Sequence, residues 1–254
     1  MISFVTFYID VTARTMDNIH RTTSTITVTE PHDYIRTMFA SARRFHSACR
    51  QVILSDRHTR FPAHPNTDII RYDLDAENPM LSRSGAWLRF IEGAENHTIF
   101  LDSDILINGD LSGLFDRDFD VALTYRDEDK WPINAGINFA HGGRREGAAR
   151  FHRRWLQRYR SKHSHSSVWG GDQDALREML STVDFARDDA FCHDLDGIEV
   201  LFLPCSTYNF STSMKCEMDG YYPEKKVLHF KGRRKPHLFP YWRTYIKPAT
   251  TAKG

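Results

Sequence analysis

The stretch Thr98-Ile-Phe-Leu-Asp-Ser-Asp-Ile-Leu-Ile-Asn108 runs from uncharged apolar residues into two carboxylates one residue apart. Thr98 to Leu101 has the length and character of a buried strand. In extended chain positions i and i+2 point the same way, so Asp102 and Asp104 are expected to offer oxygens to one centre while Ser103 faces elsewhere. Two like charges side by side at the end of a buried strand are costly without a compensating cation. Oxygen ligands suit hard ions such as magnesium or manganese, so the window predicts a strand end that holds a divalent ion.

Apolar runs on either side of it read as further strands: Ile2 to Ile9, Val52 to Leu54, Asp68 to Tyr72, Phe119 to Leu123, Ile133 to Phe139, Ile198 to Leu203 and Val227 to Phe230. Helical patterns lie between them. One is opened by Pro31 and carries Ile35, Met38, Phe39 and Ala42 on one stripe; a second runs from Met80 to about Glu92. A third, Arg144 to Lys162, is basic, with Phe151, Trp155 and Tyr159 as its core face. Strands alternating with helices predict an α/β fold with a mixed, mainly parallel central sheet covered on both faces. Ligands then belong at the carboxyl ends of the strands. The hydroxyl-rich Thr22 to Thr29 reads equally as an edge strand or a loop.

The far end of the chain complements the acids. Val227-Leu-His-Phe-Lys-Gly-Arg-Arg-Lys-Pro236 is an apolar strand that ends in His229 and continues into a glycine turn rich in cations. An imidazole completes a mixed oxygen and nitrogen site that suits manganese better than calcium. Gly232 lets backbone amides approach an anion, and Lys231, Arg233, Arg234 and Lys235 supply positive charge around it. These parts predict a clamp for a metal and a diphosphate. Two more windows stand out. Asn134-Ala-Gly136 interrupts an apolar strand, which marks a bulge or a close approach of ligand to backbone, and Asn134 there can bond a polyol. Trp169-Gly-Gly-Asp-Gln-Asp-Ala-Leu176 reads as a glycine loop entering a helix, with Asp172 placed to cap it.

In this order the windows resemble glycosyltransferase family 8, the glycogenin and bacterial lipooligosaccharide galactosyltransferase group with the GT-A fold. The match is carried by Phe100-Leu-Asp-Ser-Asp104, Asn134-Ala-Gly136, Asp172-Gln-Asp174, Leu203-Pro-Cys-Ser-Thr-Tyr-Asn-Phe210 and His229-Phe-Lys-Gly-Arg-Arg-Lys-Pro236. The resemblance implies that Asp102, Asp104 and His229 hold manganese or magnesium on the diphosphate of a UDP-sugar, with Gly232 and Lys235 on its phosphates. It places Arg89, Asn134, Asp172 and Gln173 around the donor sugar, Gln173 near the anomeric carbon, and Thr6 and Tyr8 at the uracil. Ser103, Ala135 and Gly136 complete the donor-binding set, and Asp172, Gln173 and Lys235 form the catalytic set. The implied reaction moves a hexose, with retention, to a hydroxyl of a glycan or glycolipid. The sequence departs from the family at Lys231, where a small residue is usual, at His237, which stands for a tryptophan, and in the glycines before Asp172.

Composition narrows the alternatives. The 254 residues carry a formal net charge of +1, with 41% hydrophobic and 26% charged residues, so no global charge points to a nucleic-acid partner. No run approaches the roughly 18 apolar residues of a membrane span, and the start of the chain lacks the basic n-region of a secretory signal. Cys49, Cys192, Cys205 and Cys216 have neither metal nor disulfide-framework spacing, which suits reduced thiols in cytoplasm. A single domain is expected over 1–240, followed by a basic and aromatic tail over 241–254. From Lys225 onward there are nine Lys/Arg and no acid, suited to a diphosphate or to peripheral contact with an anionic membrane. A haloacid-dehalogenase-type magnesium phosphohydrolase also uses Asp-x-Asp after a strand, but normally after the first one. A sugar-nucleotide-binding module without turnover would keep the same ligands.

Overall fold

The fold is that of a computed structural model, described over residues 1–22, 30–162, 170–212, 218 and 220–247. The first half runs β1 (Ile2–Phe7), α1 (Ala13–Thr22), α2 (Pro31–Phe45), β2 (Arg50–Ser55), β3 (Asp68–Arg71), α3 (Pro79–Gly93), β4 (His97–Leu101) and β5 (Ile105–Ile107). It continues with β6 (Val121–Tyr125), β7 (Ile133–Ala140), α4 (Arg145–Lys162), α5 (Gly171–Met179), β8 (Phe191–Asp194), β9 (Glu199–Pro204), α6 (Cys205–Tyr208), β10 (Val227–His229) and α7 (Leu238–Tyr241). A π-helical turn, Trp242–Ile246, follows.

The main sheet has the order β3-β2-β1-β4-β7-β6-β9-β8. β7 and β8 run against the other strands, so the sheet is mixed and mainly parallel, as the alternation of strands and helices predicts. One face packs on α3, α4 and α5, where Trp87 stacks on Phe100 at 4.8 Å beside Trp155 and Phe151. The other face is covered by α2 through Ile35, Met38, Phe39 and Ala42, the stripe legible in the sequence. Local signals set the helix starts: Pro31 and Pro79 occupy first-turn positions, and Asn78 caps α3 by accepting from the Leu81 amide. The arginines of α4 pair with acids of its own surroundings, Arg153 with Glu92 and Arg154 with Asp196.

Several boundaries differ from the sequence reading. β6 starts two residues later than Phe119 because Asp120 is drawn into bonds with both sides of Glu199: its amide donates to the Glu199 carbonyl, and its carboxylate accepts from the Glu199 amide. β5, β8, α1 and α6 are additional elements too short or too polar to stand out as apolar runs. The end of Thr22–Thr29 from residue 23 on lies outside the described residues. Across the expected boundary at 240/241, Tyr241 and Ile246 are buried in a third cluster with Leu106, Leu228, Phe230 and Leu238. Part of this segment thus packs into the fold; 248–254 lie outside the described residues. Among the described residues no helix is long and apolar enough to cross a membrane.

One buried group makes stability pH-dependent. His152 is 1% exposed on α4, neither ring nitrogen has a partner, and burial pushes its pKa down to about 3. Between that value and the ordinary 6.5 the unfolded chain binds a proton that the folded one refuses, so stability falls with acidification through this window. At about 1.4 kcal/mol per unit, going from pH 6.5 to 5 is expected to cost about 2 kcal/mol. Urea unfolding of His152→Phe should show this part of the pH dependence removed; an unchanged dependence would assign it to other groups.

Candidate active site

The acids lie where the sheet predicts, at the carboxyl end of β4, but they converge by a different route. The chain does not stay extended: Asp102, Ser103 and Asp104 form a turn from β4 into β5, which leaves the main sheet and pairs with β10. That antiparallel pairing sets Ile105 opposite His229, and the Phe230 amide donates to the Asp104 carbonyl at 2.8 Å. His229 Nε2 consequently lies 3.3 Å from Asp104 Oδ1 and 3.9 Å from Asp102 Oδ2. One ligand atom from each of the three residues falls within 4.8 Å of the others.

The imidazole is held in one tautomer. Its Nδ1 is 2.8 Å from Asn209 Oδ1, and the amide nitrogen of Asn209 in turn donates to Thr124 Oγ1 at 2.7 Å. Thr124 donates onward to the Asn134 carbonyl at 3.0 Å, which fixes the orientation of the Asn209 amide. Nδ1 therefore carries the hydrogen, and the Nε2 lone pair faces the two carboxylates. This is how metal-binding histidines are oriented by the groups behind them. The donor set thus fits a divalent ion of the hard or borderline kind.

Asn134, Ala135 and Gly136 form the bulge expected of them. The β6–β7 register jumps from Leu123↔Asn138 to Thr124↔Asn134, and the Gly136 amide donates to Asn134 Oδ1 at 3.0 Å. The Gly136 carbonyl accepts from the Asp102 amide at 2.8 Å. A Cβ on Gly136 would stand 2.4 Å from His229 Cε1, so glycine here is what admits the imidazole. Ala135 is buried in the core beneath.

Cations surround the acids. Lys235 Nζ is 3.3 Å from Asp104 Oδ2. Arg83, buried on α3, donates one guanidinium nitrogen to Asp102 Oδ1 at 2.8 Å and another to Asp172 Oδ2, with its Cζ 4.6 Å from the Trp87 ring centroid. Burial opposes charge on Asp104, but Lys235 is the foremost of the groups that hold the carboxyl far below its usual range. Burial, reinforced by Asp104 and Asp172, pushes Asp102 up despite Arg83. Neighbouring carboxylates that share one site behave in this way, and a bound cation favours both ionised forms.

Some expectations are revised. Arg89 is exposed and lies over Tyr72, 5.6 Å from its ring centroid; Arg83, six residues earlier, is the arginine at the acids. Asp172 does not cap α5: the cap position is Gly170, left-handed at φ 105°, and the buried Asp172 sits in the first turn with its carboxylate on Arg83. Trp169 lies outside the described residues. Gln173 follows Asp172, half-buried. Thr6 is fully buried and its hydroxyl bonds the Leu101 carbonyl at 2.8 Å, so it links β1 to β4 and is not free for a ligand. Tyr8 follows the end of β1, its ring against His32 at 5.1 Å and Phe61 at 5.9 Å. Burial, then Asp10, pushes its hydroxyl up to about 12. Gly232 has φ 61° and opens a short helical turn, Gly232–His237. Arg83, Thr124 and Asn209 are the site residues that the sequence reading did not assign. Asn209 was inside a quoted motif, and Arg83 could have been found as a charge on the buried stripe of α3, one turn before Trp87.

A GT-A fold with two aspartates, a histidine and a lysine at the carboxyl end of β4 is the class that the architecture defines. No protein-family model matches the chain, and no curated protein sequence does. Solved structures do. The chain is similar to the glycosyltransferase GlyE of Streptococcus pneumoniae TIGR4, with TM-score 0.54 and 16% identity over 97% of this chain. It spans 60% of the GlyE chain. It is similar to the galactosyltransferase LgtC, solved with donor and acceptor sugar analogs, with TM-score 0.53 and 12% identity over 98% of both chains. It is also similar to a glycosyltransferase involved in glycosylation of the major capsid of PBCV-1, at TM-score 0.50 and 12% identity over 94% of this chain and 98% of that one. At identities this low the structural likeness shows the shared fold alone.

Proposed function

We propose that the protein is a divalent-metal-dependent glycosyltransferase that moves a hexose from a UDP-sugar to a hydroxyl of a carbohydrate or glycolipid, with retention at the anomeric carbon. The observation that carries this reading is the convergence of Asp102, Asp104 and a tautomer-fixed His229 at the end of a GT-A sheet.

Manganese or magnesium held by these three residues would supply Lewis-acid stabilisation of negative charge on the diphosphate. The remaining steps belong to the chain. Lys235, already beside Asp104, lies where a phosphate oxygen can share it, and stabilises the charge that develops as the bond from anomeric carbon to diphosphate breaks. The Gly232 turn admits phosphate oxygens to backbone. Tyr8, packed with His32 and Phe61, offers an aromatic edge for the uracil. Arg83 locks Asp172 in place, so that its carboxylate accepts from sugar hydroxyls in a fixed orientation, and the Asn134 amide nitrogen donates from the bulge. Gln173 supports the oxocarbenium-like ion pair while the acceptor hydroxyl attacks the face the leaving group has vacated; the new carbon–oxygen bond replaces the old one, and the hydroxyl proton leaves with UDP.

A panel of UDP-hexoses incubated without acceptor tests this. At least one is expected to be hydrolysed slowly to UDP and free sugar, with manganese restoring activity lost to a chelator. Hydrolysis of generic phosphate monoesters, with none of UDP-hexoses, would contradict it.

A further inference from the structure

A lysine side chain is long and flexible, so where its ammonium stands depends on how its backbone is held. Lys235 lies in the turn Gly232–His237, with its Nζ 3.3 Å from Asp104 Oδ2. Arg233 beside it is exposed. The turn is tied down at two successive residues. At the first, the Arg234 guanidinium reaches the Thr212 carbonyl, and its Nε donates to Thr212 Oγ1 at 3.3 Å. At the second, the Lys235 carbonyl accepts from the Leu238 amide and also from the Tyr34 hydroxyl, 3.2 Å away on α2.

Tyr34 is well placed to fix a position. It is buried, and its ring stands edge-on to Phe239 of α7 at 4.6 Å. The helix that carries it is packed on the sheet through Ile35, Met38, Phe39 and Ala42. Two residues earlier, about 200° around the helix, the His32 ring lies 5.1 Å from Tyr8 and 5.4 Å from Phe61. The start of α2 thus touches both the rings that follow β1 and the turn that carries Lys235. A group held by a packed helix is placed more precisely than one held by a loop. Phenylalanine would serve the contact with Phe239 equally well. The hydroxyl is what reaches the Lys235 carbonyl, and a buried hydroxyl is costly without such a partner.

We propose that Tyr34 is a positioning residue for Lys235: its hydroxyl fixes the Lys235 backbone so that the ammonium stands beside Asp104, where it meets a phosphate oxygen of a nucleoside diphosphate. Tyr34 acts through Lys235 and not on the donor itself. This rests on the glycosyltransferase reading, which it deepens by naming what aims the lysine.

Two measurements on the full chain test it. Hydrogen exchange read by mass spectrometry, without ligand, is expected to be about fivefold faster over 232–238 in Tyr34→Phe than in wild type, the scale of one lost hydrogen bond. Exchange over β1 and β4 should not change. Equal exchange over 232–238, or faster exchange throughout the chain, would overturn the proposal. Calorimetric titration of UDP with manganese gives the second readout. Tyr34→Phe is expected to weaken UDP about fivefold in the wild-type background and to have no further effect in Lys235→Ala, because coupled residues are not additive. An equal loss in both backgrounds would make Tyr34 a packing residue only, and no loss in the wild-type background would leave Lys235 correctly aimed without it; either result overturns the proposal. A wild type that takes no UDP fails the donor reading instead, and the exchange comparison then decides the positioning by itself.

Discussion

Asp104→Ala is expected to lower manganese-dependent turnover of UDP-sugars to below about 1% of wild type, the scale on which losing one charge-stabilising group acts. Two effects combine. The variant lacks one of three converging ligands, and it frees Lys235 from the carboxylate that now holds it 3.3 Å away. The fold should survive, because Asp104 contributes its backbone carbonyl to the β5–β10 corner whatever side chain it carries. Circular dichroism unchanged from wild type, with turnover lost, is the expected result. Full manganese-dependent activity in this variant would remove the carboxylate from the reaction.

Arg83→Leu should produce the largest loss of stability. The guanidinium joins Asp102 to Asp172, whose side chain is 3% exposed, and packs on Trp87. Its removal leaves a buried carboxylate unpaired, which typically costs 3–5 kcal/mol; about 3 kcal/mol is expected here, since Asp102 retains some solvent. For a chain of this size that is a fall in Tm of roughly 6–12 °C. A double variant, Arg83→Leu with Asp172→Asn, should recover roughly 1 kcal/mol or more, because the charge that was left unpaired is gone. A loss that the second substitution deepens would show that Arg83 acts through packing on Trp87 and not through the acids.

The two arginines of α3 show how far the sequence could be read. Arg83 and Arg89 are six residues apart, about 240° around a helix, so they cannot share a face. Arg83 lies one turn before Trp87 on the stripe that enters the core, and helical phase alone would have selected it. The resemblance selected Arg89, in the same helix, instead. The acids, His229 and the Asn134–Gly136 bulge were legible because each is an exception to its apolar surroundings, and such exceptions need a reason. β5 was not legible, being three residues long and defined by the partner it finds in β10. Nor was the role of Asn209, since a hydrogen bond to a histidine twenty residues away exists only in the folded chain. The charges of the C-terminal region could be counted in advance. That Tyr241 and Ile246 would be buried depended on the pocket left by Leu106 and Leu228.

Pulsed electron paramagnetic resonance of manganese bound together with UDP tests the central convergence most directly. The wild type is expected to show coupling to one directly bound imidazole nitrogen, and His229→Gln to lose it. Manganese that binds tightly with UDP but shows no nitrogen coupling would contradict the account.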